Sequence, residues 1–247
     1  MLPADDAEST PLELAREAAH ALARHDGVAG VAVFGSVARG GANGSSDTDL
    51  LVLSDGGRPA RRDLIRHLPA RLQSRRFTLL CYERESLAAL MSAGTSFTEH
   101  LRREAKVLID PTGALAKLLT TPPTAPVPVR EELEAELAQL EVYSDLQVFR
   151  GNFLFVLARL YAVGKAIVML GLVADCAPTF DREEAFREFR RRHPDVADSL
   201  DEVERLRSFY LYVTRRGNAT FPFPYRGCEG SVLRAMTAIR EIAAEVA

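Results

Sequence analysis

The sequence predicts an α/β (α+β) domain built on a short mixed sheet, followed by an all-α helical bundle domain. Three observations carry that expectation. Apolar runs at 29–34 and 48–53 flank a turn rich in glycine and serine, as two neighbouring strands would. Residues 121–129, Thr-Pro-Pro-Thr-Ala-Pro-Val-Pro-Val, hold four prolines, a composition that cannot continue a helix and favours extended chain. Beyond residue 130, helical segments follow one another to the end. The expected division is a first domain at 1–121, a proline-rich linker at 122–129 and a helical domain at 130–247.

The elements follow in order. Thr10-Pro11-Leu12-Glu13 is a capping box with proline at the first helical position, so a helix is expected over 10–25. Strands follow at 29–34 and 48–53. Alternating basic and apolar positions at 58–72 predict a surface helix, and Arg76–Tyr82 predicts a third strand. Helices at 85–92 and 95–104 flank Gly94, and Lys106–Asp110 is a short last strand. The sheet is expected to carry helices on one side. In the second domain, helices are expected at 130–147, 148–173, 181–192, 197–214 and 229–246, with Gly171, Pro178, Pro194 and the Phe-Pro-Phe-Pro segment at 221–224 as punctuation.

Composition narrows the function classes. The 247 residues carry a formal charge of −3, which argues against a general nucleic-acid binder and against polybasic membrane attachment. No stretch approaches the unbroken apolar length of a membrane span, and the first residues have neither the basic nor the apolar region of a secretion signal. Cys81, Cys176 and Cys228 are far apart and odd in number, so a reduced, cytoplasmic protein without disulfides is expected. The five histidines show no zinc-ligand spacing.

The chemistry concentrates at 33–53. An apolar strand runs into Gly35-Ser36, a short helix-forming stretch and a glycine-rich loop follow, and a second strand opens with Asp47-Thr48-Asp49. Two carboxylates two residues apart on a strand point to the same face. Held that close they repel unless a cation lies between them, and a hard divalent ion such as Mg²⁺ suits oxygen ligands. Gly35 permits close backbone approach, and Ser36 stands where free N–H groups favour a phosphate. Phosphate cradle and metal carboxylates together describe a nucleoside triphosphate site.

This order of parts, carried by Gly35, Ser36, Arg39, Gly40, Ser46, Asp47, Asp49 and Leu50, resembles the DNA polymerase β-like nucleotidyltransferase superfamily. It is most similar to the minimal nucleotidyltransferases and their aminoglycoside- and lincosamide-modifying relatives. The resemblance implies a Mg²⁺-dependent transfer of a nucleoside monophosphate from an NTP, with ATP the expected nucleotide. The acceptor would be a hydroxyl of a small molecule such as an antibiotic, or of a protein, seated between sheet and bundle. It implies Gly35, Ser36, Arg39 and Ser46 as nucleotide-binding residues and Asp47 and Asp49 as catalytic metal ligands. A homodimer is left open.

The relatives carry a third carboxylate on the neighbouring strand, and this chain has Thr78 there. A threonine hydroxyl is a poor metal ligand and no base at neutral pH. Glu83 has the opposite strand parity, and Glu85 is expected to open the next helix. The helical domain could supply the base instead, with Glu141 and Asp145 as candidates. An alternative follows from Thr78: a catalytically impaired nucleotide-binding protein or an antitoxin-like partner.

The apolar segment Phe153–Val173 is interrupted by Arg159, Tyr161 and Lys165. Tyr161 and Lys165 share a face, with Arg150 at a similar helical angle and Asn152 and Arg159 on roughly the opposite one. Tyr161 with Lys165 is the expected triphosphate-facing pair, since relatives use a bundle lysine in this way. The aromatic and arginine residues from Phe209 to Arg226 are expected to be packing more than an acceptor pocket. Arg187 and His193 have the spacing of a helical ribonuclease motif within a run of arginines, where that spacing arises easily.

Overall fold

The structure, a computed structural model, describes residues 9–42, 47–73, 77–214 and 228–247. The chain divides into two compact units, Met1–Val127 and Pro128–Ala247. In the first unit, α1 (Pro11–Leu22) leads into β1 (Val28–Phe34), α2 (Gly35–Arg39), β2 (Thr48–Ser54), α3 (Arg61–His67) and α4 (Ala70–Gln73). Then come β3 (Phe77–Glu83), α5 (Arg84–Ala93), α6 (Ser96–Glu104), β4 (Lys106–Ile109) and α7 (Ala114–Thr120). The capping box closes α1: the Glu13 amide donates to Thr10 Oγ1 at 3.3 Å and the Thr10 amide donates to Glu13 Oε2 at 2.7 Å.

The sheet is mixed, in the order β3-β2-β1-β4. β1 runs antiparallel to both β2 and β4, while β2 and β3 are parallel. Helices cover both faces, where cover on one side was expected. On one face Val31, Val33, Leu50, Val52, Leu79 and Cys81 pack with Ala15 and Ala18 of α1 and Leu64 of α3. On the other Ala32, Phe34, Leu51 and Leu53 meet Leu87, Met91, Leu101 and Leu115 of α5, α6 and α7. The reason is in the strands: β1 and β2 are nearly continuous apolar runs, the pattern of strands buried on both faces. Two further differences are local. The helix expected at 58–72 is split, because Pro69 separates α3 from α4. Thr124 of the proline-rich segment donates from its amide and its hydroxyl to the Ser92 carbonyl, each at 2.9 Å, so that segment docks on the end of α5.

The second unit contains α8 (Val129–Glu141), a 3₁₀ turn at Leu146–Phe149, α9 (Phe153–Ala174), α10 (Arg182–Arg192), α11 (Ala197–Arg205), α12 (Arg207–Thr214) and α13 (Cys228–Val246). α9 is the central helix, with α8, α10, α12 and α13 packed around it. By length and composition this 22-residue helix is apolar enough to cross a membrane, although Arg159 and Lys165 interrupt it, and 61% of its most apolar window is buried. Two glycines allow the close packing. A Cβ on Gly164 would lie 2.7 Å from Val203 Cγ1, and one on Gly171 would lie 2.5 Å from Phe189 Cε2. Arg150 has φ +46 before α9 begins, so it is not on the helix that carries Tyr161 and the expected shared angle does not apply.

Candidate active site

β1 ends at Phe34, and Gly35 follows with φ +70, a left-handed backbone that only glycine adopts without strain. Five helical residues later Gly40 reverses the chain with φ +82. Antiparallel register sets Asp49 of β2 opposite Phe34, the residue before the turn. Gly35 and Asp49 therefore touch: a Cβ on Gly35 would lie 2.8 Å from Asp49 Oδ2, closer than a side chain tolerates. The absent side chain is what lets the backbone turn lie against the carboxylate. Asp49 lies on β2 and Asp47 immediately precedes that strand, and both are half-buried.

On the other side of β2, parallel register pairs Asp49 with Thr78. Thr78 thus occupies the expected position beside the carboxylates, and it is exposed. A cavity of about 340 Å³ opens there, lined by Asp47, Arg61, Ile65, Leu68, Gln73, Phe77 and Thr78. Arg61 Nη2 donates to the Phe77 carbonyl at 3.1 Å, and Gln73 Nε2 donates to the Leu68 carbonyl at 2.8 Å. Glu83 is the last residue of β3, at the far end from Thr78, and Glu85 lies in the first turn of α5.

Arg39, at the end of α2, is bound to α6: its Nη1 is 2.5 Å from Glu104 Oε2, and His100 Nε2 is 2.8 Å from the same oxygen. Glu104 is buried to 11% side-chain exposure, and the His100 ring sits edge-on to Phe34 at 5.7 Å. α6 therefore braces the helix that follows Gly35-Ser36. Nothing in the sequence spacing links Arg39 to a glutamate 65 residues away. Ser46 lies outside the described residues.

The donor chemistry fits a hard cation. Asp47 and Asp49 offer carboxylate oxygens, and the Gly35 cradle holds the backbone against one of them. Among the described residues no three His, Cys, Asp or Glu side chains come together to hold a metal, so such an ion would depend on these two carboxylates and on its substrate.

Residues 15–93 match the family model of the nucleotidyltransferase domain. The first unit contains a nucleotidyltransferase domain. The fold of the chain is similar to that of a spectinomycin adenyltransferase from Enterococcus faecialis, whose crystal structure was solved with ATP and spectinomycin. That likeness has a TM-score of 0.51 at 12% identity and covers 87% of this chain and 92% of that one. It extends the shared fold beyond the nucleotidyltransferase domain into the helical unit. No curated protein sequence matches the chain.

The helical unit accounts for the other expected residues. Tyr161 is 1% exposed. Its ring stacks on Phe186 at 6.3 Å and meets Tyr210 at 5.1 Å, and burial pushes its phenol up to about 12. It is a core side chain and not part of a triphosphate-facing pair. Lys165 is half-buried, with Nζ 5.7 Å from the centre of the Tyr210 ring. Its charge also reaches Glu136, whose carboxyl burial pushes up. Glu141 ends α8, exposed, with Oε1 3.2 Å from Arg240 Nη2. Asp145 caps the 3₁₀ turn through the Gln147 amide at 3.1 Å. Arg159 Nη2 donates to Gln139 Oε1 at 3.0 Å. Asn152 stands at the N-cap of α9.

Arg187 is exposed on α10. His193 stacks on Phe189 at 4.3 Å, with its two nitrogens 2.9 Å from Asp175 and 3.3 Å from Glu245. Those contacts tie the histidine to packing and hydrogen bonding. Of the aromatic and arginine segment, Phe209 is buried and Tyr210 faces Tyr161. Residues 215–227, with Arg215, Arg216 and Phe221–Arg226, lie outside the described residues.

Proposed function

We propose that the protein transfers a nucleoside monophosphate from Mg²⁺-bound ATP to a hydroxyl group of a small molecule. The observation that carries this is the contact between the Gly35 turn and Asp49, which brings a backbone fit for phosphate against a carboxylate fit for metal. The nucleotidyltransferase domain and the fold shared with an adenyltransferase solved with ATP support the same class of reaction.

Sheet order gives the proposal a direction. Gly35-Ser36 follow β1, on one side of Asp49, and Thr78 with its cavity lies on β3, on the other. Two strand spacings separate them, roughly 10 Å. In-line displacement at phosphorus needs attacking and leaving oxygens on opposite sides. Gly35 and Ser36 would hold the β- and γ-phosphates, and the acceptor hydroxyl would approach from the cavity. The acceptor oxygen bonds to the α-phosphorus as the bond to the β-phosphate oxygen breaks, and pyrophosphate leaves. Bound to Asp47 and Asp49, Mg²⁺ would neutralise charge on the phosphates. Thr78 cannot take the hydroxyl proton. Glu141 of the helical unit is the proposed acceptor of that proton, with Asp145 as the alternative. Lys165 is proposed as a further triphosphate contact from that unit.

The test is incubation with ATP, Mg²⁺ and a panel of hydroxylated compounds. Acceptor-dependent release of pyrophosphate, lost in Asp49→Asn, is the expected result. Tight MgATP binding without pyrophosphate release from any acceptor would instead favour a nucleotide-binding protein, the reading to which Thr78 points.

A further inference from the structure

The cavity beside Asp47 holds a chemical preference of its own. Its polar lining is one carboxylate already assigned to metal, one neutral hydroxyl at Thr78, one amide at Gln73 and one guanidinium at Arg61. Arg61 is oriented: Nη2 donates to the Phe77 carbonyl, in the peptide that joins Phe77 to Thr78. That bond uses one N–H of five and sets the guanidinium one peptide from the residue facing Asp49. The remaining donors form a planar fork suited to two oxygens of one oxyanion.

The surroundings have the same sign. Arg58, Arg61, Arg62 and Arg66 crowd the start and length of α3, against Asp63 alone. Asp63 is 3.6 Å from Arg66, which leaves the cavity's flank positive. The cavity floor is apolar, from Ile65, Leu68 and Phe77. With Asp47 neutralised by metal, the field inside attracts an anion and repels a polycation.

We infer that this cavity is an acceptor subsite for a hydroxyl compound that also bears an oxyanion, a phosphate or carboxylate, held by Arg61. The inference rests on the proposed reading of the Asp47–Asp49 site, and it disfavours polycationic acceptors. Arg61 sets the charge specificity by touching the acceptor, while the phosphates of ATP stay with the turn on the far side of β2.

The test is calorimetry on the full chain, loaded with Mg²⁺ and a non-hydrolysable ATP analogue, using glucose 6-phosphate, glucose and glucosamine as matched probes. Glucose 6-phosphate should bind at least tenfold more tightly than glucose, and glucosamine more weakly than either. Arg61→Met should erase the advantage of the phosphate without altering affinity for the nucleotide analogue, and Arg61→Lys should keep part of it. Equal affinities for the three probes, no binding of glucose 6-phosphate, or an advantage that survives Arg61→Met would overturn the inference. If the nucleotide analogue itself does not bind, the reading of the catalytic site has failed. The same probe series on unloaded protein, with Arg61→Met, then still decides whether the cavity selects an oxyanion.

Discussion

Replacing Gly35 by alanine perturbs the one contact on which the site is built. Two penalties arise. The backbone at φ +70 costs an L-residue about 1–2 kcal/mol. The new Cβ would also stand 2.8 Å from Asp49 Oδ2, where ordinary contact begins at 3.4 Å, so the carboxylate must retreat by about 0.6 Å. Metal ligands tolerate only about 0.2 Å. Gly40 separates the two effects, because it has φ +82 with nothing within 4 Å of its would-be Cβ. Gly40→Ala should lower stability by about 1–2 kcal/mol and leave MgATP affinity within about twofold. Gly35→Ala should cost about 2–4 kcal/mol and weaken MgATP at least tenfold, about 1.4 kcal/mol of binding. Urea unfolding and calorimetry with ATP and Mg²⁺ read both quantities. If Gly35→Ala binds MgATP like the wild type, or Gly40→Ala loses as much affinity, the link between the turn and the carboxylate is refuted.

Other expectations follow from the same geometry. Thr78→Asp sets a third carboxylate opposite Asp49, so Mg²⁺ affinity in the presence of ATP should rise severalfold and transfer should quicken; a slower enzyme would mean that Glu141 already serves as the base and that the new charge crowds the site. Tyr161 is neutral in the core with its phenol raised to about 12, so its contribution is intact below the unfolded value near 10 and is lost as pH rises through 12. Tyr161→Phe should remove that loss between pH 10 and 12 and leave MgATP binding unchanged, as alkaline melting and calorimetry would measure. Lys165→Met should weaken MgATP about tenfold with a stability loss of roughly 1 kcal/mol or less; a lower melting temperature with intact affinity would confine the lysine to Tyr210 and Glu136.

The turn at Gly35 was legible in the sequence because its requirements are local. Gly35, Asp47 and Asp49 lie within fifteen residues, and the antiparallel pairing of β1 with β2 sets Asp49 opposite the residue before the turn. Thr78 was legible only through the resemblance, whose apolar-acid-apolar pattern falls on Phe77-Thr78-Leu79, and β3 pairs Thr78 with Asp49. What stayed hidden depends on long-range packing. The brace of Arg39 by Glu104 joins elements with no shared pattern. Tyr161 looked polar on an apolar helix, yet a phenol can be stacked into a core, and Phe186 and Tyr210 lie too far along the chain to foresee. The cover of the sheet on both faces was written in the unbroken apolar runs of β1 and β2. α7 passed unseen because seven residues are too few for periodicity to register.

The most direct test of the central claim is the Mg²⁺ dependence of ATP binding in the wild type and in Asp49→Asn, followed by calorimetry with and without chelator. The account predicts that the wild type binds ATP only with Mg²⁺, and that Asp49→Asn, folded by circular dichroism, loses at least tenfold in affinity because one anionic ligand is gone. Affinity for ATP that is indifferent both to Mg²⁺ and to Asp49→Asn would contradict it.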